Sequence, residues 1–155
     1  MAAQETTLMV IITPKVRDVM DAKVVFIDSA ATVTDAIKKM VQENIWSLVV
    51  EKMGLPMGVV ITEDILSRCL AKGHNPDKMA VEAIASSPVI TIGPDATLEQ
   101  AANVMFQRDI RRIFVVEGGK IVGRITQQIL FEDSFNMMET LAGKVFWEKK
   151  KEQDR

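Results

Sequence analysis

Five polar side chains in this chain have the type and spacing to do chemistry: Thr62 with Asp64, Thr126, and the adjacent Arg111 and Arg112. The β-rich run Met57–Ile61 leads into Thr62 and Asp64, and Ile121–Ile125 leads into Thr126, so each group stands where a strand gives way to a helix. Free backbone N–H groups and the helix dipole favour an anion at such a junction, and the junction's own hydroxyl or carboxylate can also act as the cap. Capping alone accounts for these residues; a bound anion is the alternative. Arg111 and Arg112 supply two guanidiniums, the group suited to gripping a phosphate through paired N–H donors. As surface ion pairs they would contribute little. Arg108 beside them reads as a cation at a helix C-terminus. His74 is the only histidine and Cys69 the only cysteine, and no Walker or dinucleotide glycine motif is present. No His-based dyad and no zinc-type ligand spacing can be assembled, so these residues support binding rather than catalysis.

What positions them is an internal duplication. Val16, Val24, Ile27, Ala31, Thr32, Ala36, Met40, Gln42, Ile45, Val50, Gly54 and Gly58 each recur 65 places on, as Gly58 does at Gly123. Chance would supply roughly three such matches over this span. Two copies are too few for a solenoid, which needs at least about three, and therefore read as paired subdomains.

Each copy carries the same element signals. A β-rich run, Val24–Ile27 or Val89–Ile92, precedes Thr32 or Thr97, with Asp35 or Gln100 three places later in capping-box spacing. Helical periodicity follows at Val33, Ala36, Ile37, Met40 and Val41, and again at Leu98, Ala101, Ala102, Met105 and Phe106. Then come Leu48–Val50 or Ile113–Val116, a glycine turn, the second strand, and a short helix over Glu63–Leu70 or Gln127–Phe131. Gly73 and Asn75-Pro76-Asp77 separate the copies, and a helix is predicted over Lys78–Ala85. The expected class is α+β, with two strand-helix-strand-strand-helix repeats. The expected divisions are an N-terminal arm (1–15), repeat 1 (16–72), a linker helix with repeat 2 (73–133), and a C-terminal helix with a charged tail (134–155).

That duplicated order resembles the cystathionine-β-synthase (CBS) domain pair, or Bateman module. The phrases that carry the likeness are Val16–Met20, Ser87–Ile92 with Asp95-Ala96-Thr97, Ile110–Val116, Gly58-Val59-Val60 and Gly123–Thr126. The resemblance implies two repeats packed about a pseudo-twofold axis, with clefts for an adenosine-containing ligand: AMP, ADP, ATP or S-adenosylmethionine. It also implies a homodimer of modules signalling to a regulated partner protein, with no cofactor required. The family pattern Gly-h-x-Thr/Ser-x-x-Asp puts a hydroxyl near phosphate or ribose and a carboxylate on the ribose hydroxyls. Here it is divided: counted from Gly58, Ile61 takes the hydroxyl position and Asp64 the acid position; counted from Gly123, Thr126 and Ile129 take them. Arg111 and Arg112 occupy the place where the family aims a basic group at phosphate, whereas Trp46 and Ser47, their first-copy counterparts, carry no charge. Val24, Val89, Leu48 and Ile113 are placed to line an adenine slot, with Ser47 beside them, although plain core is the competing reading.

Composition bounds the rest. A chain of 155 residues that is 48% apolar suffices for one compact unit, and a net charge of −2 gives no general attraction to nucleic acid or anionic lipid. Nucleic-acid binding through Arg108, Arg111, Arg112, Arg124 and Lys149–Lys151 is disfavoured for the same reason and for want of stacking aromatics. The run Leu8–Ile12 behind Glu5 is too short for a membrane span and reads as a strand or arm; a cytoplasmic location is expected. A further helix is predicted behind Ser134, with Phe135, Met138, Leu141, Ala142 and Val145 on one face, leading to Phe146 and Trp147.

Overall fold

Apolar alternation and the two capping boxes build the same half-molecule twice. The computed structural model describes residues 14–153, with side-chain surroundings through residue 140 and at Ala142. The N-terminal run Leu8–Ile12 lies outside the described residues. In repeat 1, β1 (Phe26–Asp28) pairs parallel with β2 (Ser47–Lys52), which pairs antiparallel with β3 (Leu55–Ile61). In repeat 2, β4 (Thr91–Ile92), β5 (Arg112–Glu117) and β6 (Lys120–Thr126) repeat that order, giving the expected α+β class.

The helices α2 (Val33–Glu43) and α4 (Leu98–Arg108) connect the parallel strands. Both open on the expected caps: Asp35 N–H donates to Thr32 Oγ1 and Gln100 N–H to Thr97 Oγ1, each at 3.1 Å, with the reciprocal bonds also made. Both close on a left-handed residue, Asn44 (φ 50°) and Asp109 (φ 52°), a conformation that short polar side chains tolerate. Ile45 and Ile110 N–H groups then return to Met40 and Met105 carbonyls at 3.0 Å. This closure turns the chain sharply, so residues 44–47 and 109–112 leave the helix at its open end. Val33, Ala36 and Met40 pack with Leu48, Val50 and Val60 in the first core, while Ala101 and Met105 pack with Ile113, Val115 and Ile125 in the second.

Each repeat, however, is completed by the segment that leads into the other. The short helix α1 (Val16–Val19) precedes repeat 1 in sequence, yet Val16 is fully buried in the core of repeat 2. Val81 and Ile84, in and just after the 3₁₀ turn Val81–Ala83 that precedes repeat 2, are fully buried in repeat 1. The exchange is reciprocal bond by bond. Val16 N–H donates to Ala96 O as Val81 N–H does to Ala31 O, both at 2.8 Å; Asp21 pairs with Arg124 as Ser86 pairs with Val59. Each contact maps onto its counterpart by the sequence repeat, which is pseudo-twofold symmetry read from the bonding. Gly58 and Gly123 recur because these crossing segments leave no room for a side chain: a Cβ at Gly58 would lie 2.5 Å from Ser86 O, and one at Gly123 2.8 Å from Met20 Sδ and 3.1 Å from Asp21 O.

Three expectations change. The linker helix over Lys78–Ala85 is only the 3₁₀ turn Val81–Ala83, since Val81 and Glu82 N–H groups bond outward to Ala31 and Ser29 carbonyls and interrupt the bonding along the segment. The helix over Glu63–Leu70 begins as α3 (Thr62–Asp64) but continues with π-helical winding through Ile65–Leu70, closing wide bonds such as Ala71 N–H to Leu66 O at 2.8 Å. The two helices predicted after β6 are one, α5 (Gln127–Gln153); Ser134, expected to cap the second, donates its hydroxyl to Leu130 O within the helix at 2.9 Å. Among the described residues no helix is long and apolar enough to cross a membrane.

Candidate functional site

Pseudo-symmetry leaves two clefts, each bounded by the strand-to-helix junction of one repeat, the helix-to-strand turn of the other, and the crossing lead-in segment. The first, about 310 Å³, combines Val59, Ile61, Glu63 and Asp64 with Ser86, Pro88 and Ile90, and with Asp109–Arg112 and Phe114. The second, about 430 Å³, combines Arg124, Thr126–Ile129 and Glu132 with Asp21, Asn44–Ser47, Arg111 and Arg112. They are called here the Asp64 cleft and the Thr126 cleft. Both have mixed walls, apolar on balance; the first gathers Val59, Ile61, Ile90, Ile110 and Phe114, and the second has Trp46 at its side.

At the two junctions, a capping box has been divided between the repeats. Asp64 supplies one half: its Oδ2 accepts from Ile61 N–H at 2.9 Å, while the hydroxyl position is an isoleucine. Thr126 supplies the other half: its Oγ1 accepts from Ile129 N–H at 3.2 Å, while the acid position is an isoleucine. Each junction thus keeps one of two reciprocal bonds. Asp64 is 6% exposed, and its second oxygen, Oδ1, lies 3.5 Å from Arg68, whose same nitrogen donates to Ile84 O at 2.8 Å. Burial pushes the Asp64 carboxyl above the usual carboxylate range, opposed by the Ile61 N–H and the Arg68 charge.

Thr62 does not take part in this cap. Its Oγ1 is buried without a hydrogen-bond partner, and Thr62 lines neither cleft. Ser47, 2% exposed, lines the Thr126 cleft and has an equally unpartnered Oγ. A hydroxyl left unpaired in a buried position costs about 1–3 kcal/mol, so Ser47 is a standing acceptor or donor for a polar group in that cleft.

Arg111 and Arg112 line both clefts and form no ion pair among the described residues. Arg111 is exposed; Arg112 is half-buried and donates from Nη1 to Trp46 O across the repeat boundary at 3.1 Å. Burial lowers the Arg112 pKa, with Glu63 the main charge opposing that shift. Arg124, by contrast, is neutralised: Nη2 and Nε reach Asp21 Oδ2 at 2.8 and 3.2 Å. The Lys23 N–H, and then Arg124, hold Asp21 below the usual carboxylate range.

The apolar side chains nominated for adenine are placed differently. Leu48 and Ile113 are fully buried in their own repeats, because along β2 and β5 they alternate with Ser47 and Arg112 and face the helix side. Val24 and Val89 are half-buried, stand just before β1 and β4, and line neither cleft. An Asp21 turn that binds Lys23 N–H at 2.9 Å delays the first strand, and Pro88, which lacks an N–H, precedes Val89. The apolar walls instead come from Val59, Ile61, Pro88, Ile90, Ile110 and Phe114. Pro88 and Ile90 flank Val89, so period-2 alternation in that phrase was the available signal. Nothing in one sequence could have paired Asp21 with Arg124, since the bond depends on the exchange. Among the described residues no cluster of three or more His, Cys, Asp or Glu is arranged to hold a metal.

Comparison with known proteins places this geometry. The CBS domain model matches residues 16–71 and 81–134. Uncharacterized protein MJ0450 of Methanocaldococcus jannaschii is 31% identical over 122 residues, covering 77% of this chain and 66% of that protein. Uncharacterized protein MK0525 of Methanopyrus kandleri is 31% identical over 103 residues, covering 65% and 53%. The chain therefore spans between half and two thirds of those relatives' lengths. Among solved structures, the hexameric CBS-CP12 protein from bloom-forming cyanobacteria matches with a TM-score of 0.73 and 31% identity, covering 77% of this chain and 67% of that one. CBS domain protein PAE2072 from Pyrobaculum aerophilum, complexed with AMP, matches in fold with a TM-score of 0.68 at 24% identity, covering 75% and 89%. Two family matches, one on each half of a reciprocally exchanged pair, identify the chain as a member of the CBS domain family with two CBS domains in tandem.

Proposed function

We propose that this chain is a regulatory module that takes an adenosine-containing ligand, AMP, ADP or ATP before S-adenosylmethionine, in the Asp64 cleft and signals its occupancy to a partner protein. One observation carries the reading. A buried carboxylate and an apolar slot meet, in that cleft, the two shared guanidiniums, which form no ion pair among the described residues. Pro88, Ile90, Ile110 and Phe114 suit a purine, Asp64 Oδ1 suits a ribose hydroxyl, and Arg111 with Arg112 suits phosphate. The AMP complex of PAE2072 lends support at the level of the fold. Ligand touching both repeats would shift their relative packing only by its differential affinity for the two arrangements.

Self-association belongs to the same reading. Val41 and Phe106, Leu66 and Phe131, and Leu70 and Phe135 are exposed apolar pairs related by the repeat, so the pseudo-twofold presents matched hydrophobic positions suited to a second copy. A second reading, an interaction module with clefts that bind nothing, is favoured by the engagement of Thr126 Oγ1 and Asp64 Oδ2 in capping.

Calorimetric titration with AMP, ATP and S-adenosylmethionine decides between them. Saturable heat with one nucleotide, lost when Arg111 and Arg112 are both replaced by alanine, is the expected result. No heat with any of the three would leave the interaction module standing.

A further inference from the structure

We infer that Arg112 couples the two clefts negatively: one guanidinium serves both, so a phosphate held in the Asp64 cleft weakens anion binding in the Thr126 cleft. This rests on the ligand reading above and adds a regulation to it.

Arg112 begins β5 at the position equivalent to Ser47 in β2, so the symmetry that creates two clefts supplies no second guanidinium at that position. The Arg112 side chain lines both, and its Nη1 is anchored at 3.1 Å on Trp46 O, a carbonyl in the wall of the Thr126 cleft. Its charged neighbours lie on both sides: Glu63 and Asp64 in one cleft, Arg124 in the other. Arg124 is the weaker partner for an incoming anion, since Asp21 Oδ2 already accepts from its Nη2 and Nε at 2.8 and 3.2 Å and offsets its charge. Exposed Arg111 also lines both clefts but makes no side-chain bond across the boundary among the described residues, and solvent screens it.

Two effects then act in the same direction. A phosphate in the Asp64 cleft draws the guanidinium toward itself and away from the Thr126 cleft, leaving there the exposed Arg111 and the Arg124 already paired with Asp21. The same movement releases Trp46 O and alters the wall beside Ser47, whose unpartnered buried Oγ is one of the polar groups that line that cleft. By linkage the effect must be reciprocal, an anion in the Thr126 cleft weakening phosphate binding beside Asp64 by the same factor.

Trp46 lines the Thr126 cleft alone, so its fluorescence, in a Trp147→Phe background, reports an anion arriving there. The chain is titrated with inorganic pyrophosphate in free, adenosine-saturated and AMP-saturated forms. The expected result is an apparent Kd changed less than about twofold by adenosine and raised about tenfold by AMP, within the usual range of allosteric coupling. Arg112→Gln should abolish the difference between adenosine and AMP, and Arg111→Gln should retain it. An AMP effect that survives Arg112→Gln would assign the coupling to repulsion between phosphates and overturn the inference. So would AMP binding that leaves pyrophosphate affinity where adenosine leaves it, or the absence of any pyrophosphate response at Trp46. If Arg112→Gln does not fold, Arg112→Lys decides: a reduced AMP effect supports the shared guanidinium, and an undiminished one overturns it. Failure of AMP to bind at all would remove the ligand reading as well, which separates the two failures.

Discussion

The two strand-to-helix junctions occupy equivalent places and perform different work. In repeat 1 the carboxylate of Asp64 is retained and the hydroxyl has been replaced by Ile61; in repeat 2 the hydroxyl of Thr126 is retained and the carboxylate has been replaced by Ile129. Either half satisfies an orphan backbone donor, so both helices still start in register. What differs is the charge left facing each cleft. The Asp64 junction presents a buried acid among hydrocarbon, whereas the Thr126 junction presents a neutral cap beside an Arg124–Asp21 ion pair. Helix capping tolerates the loss of one partner. Duplication with divergence has therefore kept the fold symmetric and made the clefts unlike.

The comparison can be broken most forcefully at the paired glycines. Gly58→Ala drives a methyl against the Ser86 carbonyl and should cost roughly 2–3 kcal/mol, while Gly123→Ala meets mainly the movable Met20 side chain and should cost about 1 kcal/mol, both read by urea denaturation. Equal costs would mean that the two crossings are not as unequal as their contacts. Next, Val16→Ala and Val81→Ala should each cost about 2 kcal/mol, and the loss should fall on the repeat that hosts the side chain, not on the one that precedes or follows it in sequence. Amide hydrogen exchange in β5 and β6 for Val16→Ala, and in β2 and β3 for Val81→Ala, checks the assignment.

Thr126→Ala removes the acceptor for Ile129 N–H and should cost about 1 kcal/mol; Asp64→Asn keeps an acceptor for Ile61 N–H and should cost less. The smallest effect is one of sign with pH. Asp35 is held low by the Thr32 N–H and hydroxyl, so the stability it contributes is present above an unfolded pKa of about 3.9 and lost as pH falls through its lower folded value. Asp64 is raised by burial, so its contribution is present below about 3.9 and declines as pH rises through its higher folded value. Thermal melts from acid to neutral pH should show Asp64→Asn gaining on the parent protein as pH rises. A gain in the opposite direction would mean that Arg68 and Ile61 outweigh the burial of the carboxylate.

The duplicated elements were legible because they are local: capping boxes, helical periodicity and glycine turns each act within a few residues of themselves. Segment exchange was not legible, because Val16 and Val81 match each other equally well whether each packs on its own repeat or on the other. That ambiguity also hid the cleft walls. Ser47, Arg111, Arg112, Asp64 and Thr126 line clefts, whereas Leu48 and Ile113 do not, since strand alternation sends them to the core. The register of a short strand decides which of two neighbours faces a ligand, and sequence alone leaves that choice open.

The central claim, that the Asp64 cleft and not the Thr126 cleft is the principal ligand site, is tested most directly by AMP calorimetry on the parent protein, Asp64→Asn and Thr126→Val. Loss of one charged hydrogen-bond acceptor to ribose should weaken binding about tenfold or more in Asp64→Asn, and Thr126→Val should stay within about threefold of the parent. A larger loss in Thr126→Val than in Asp64→Asn would contradict the account and move the site to the other cleft.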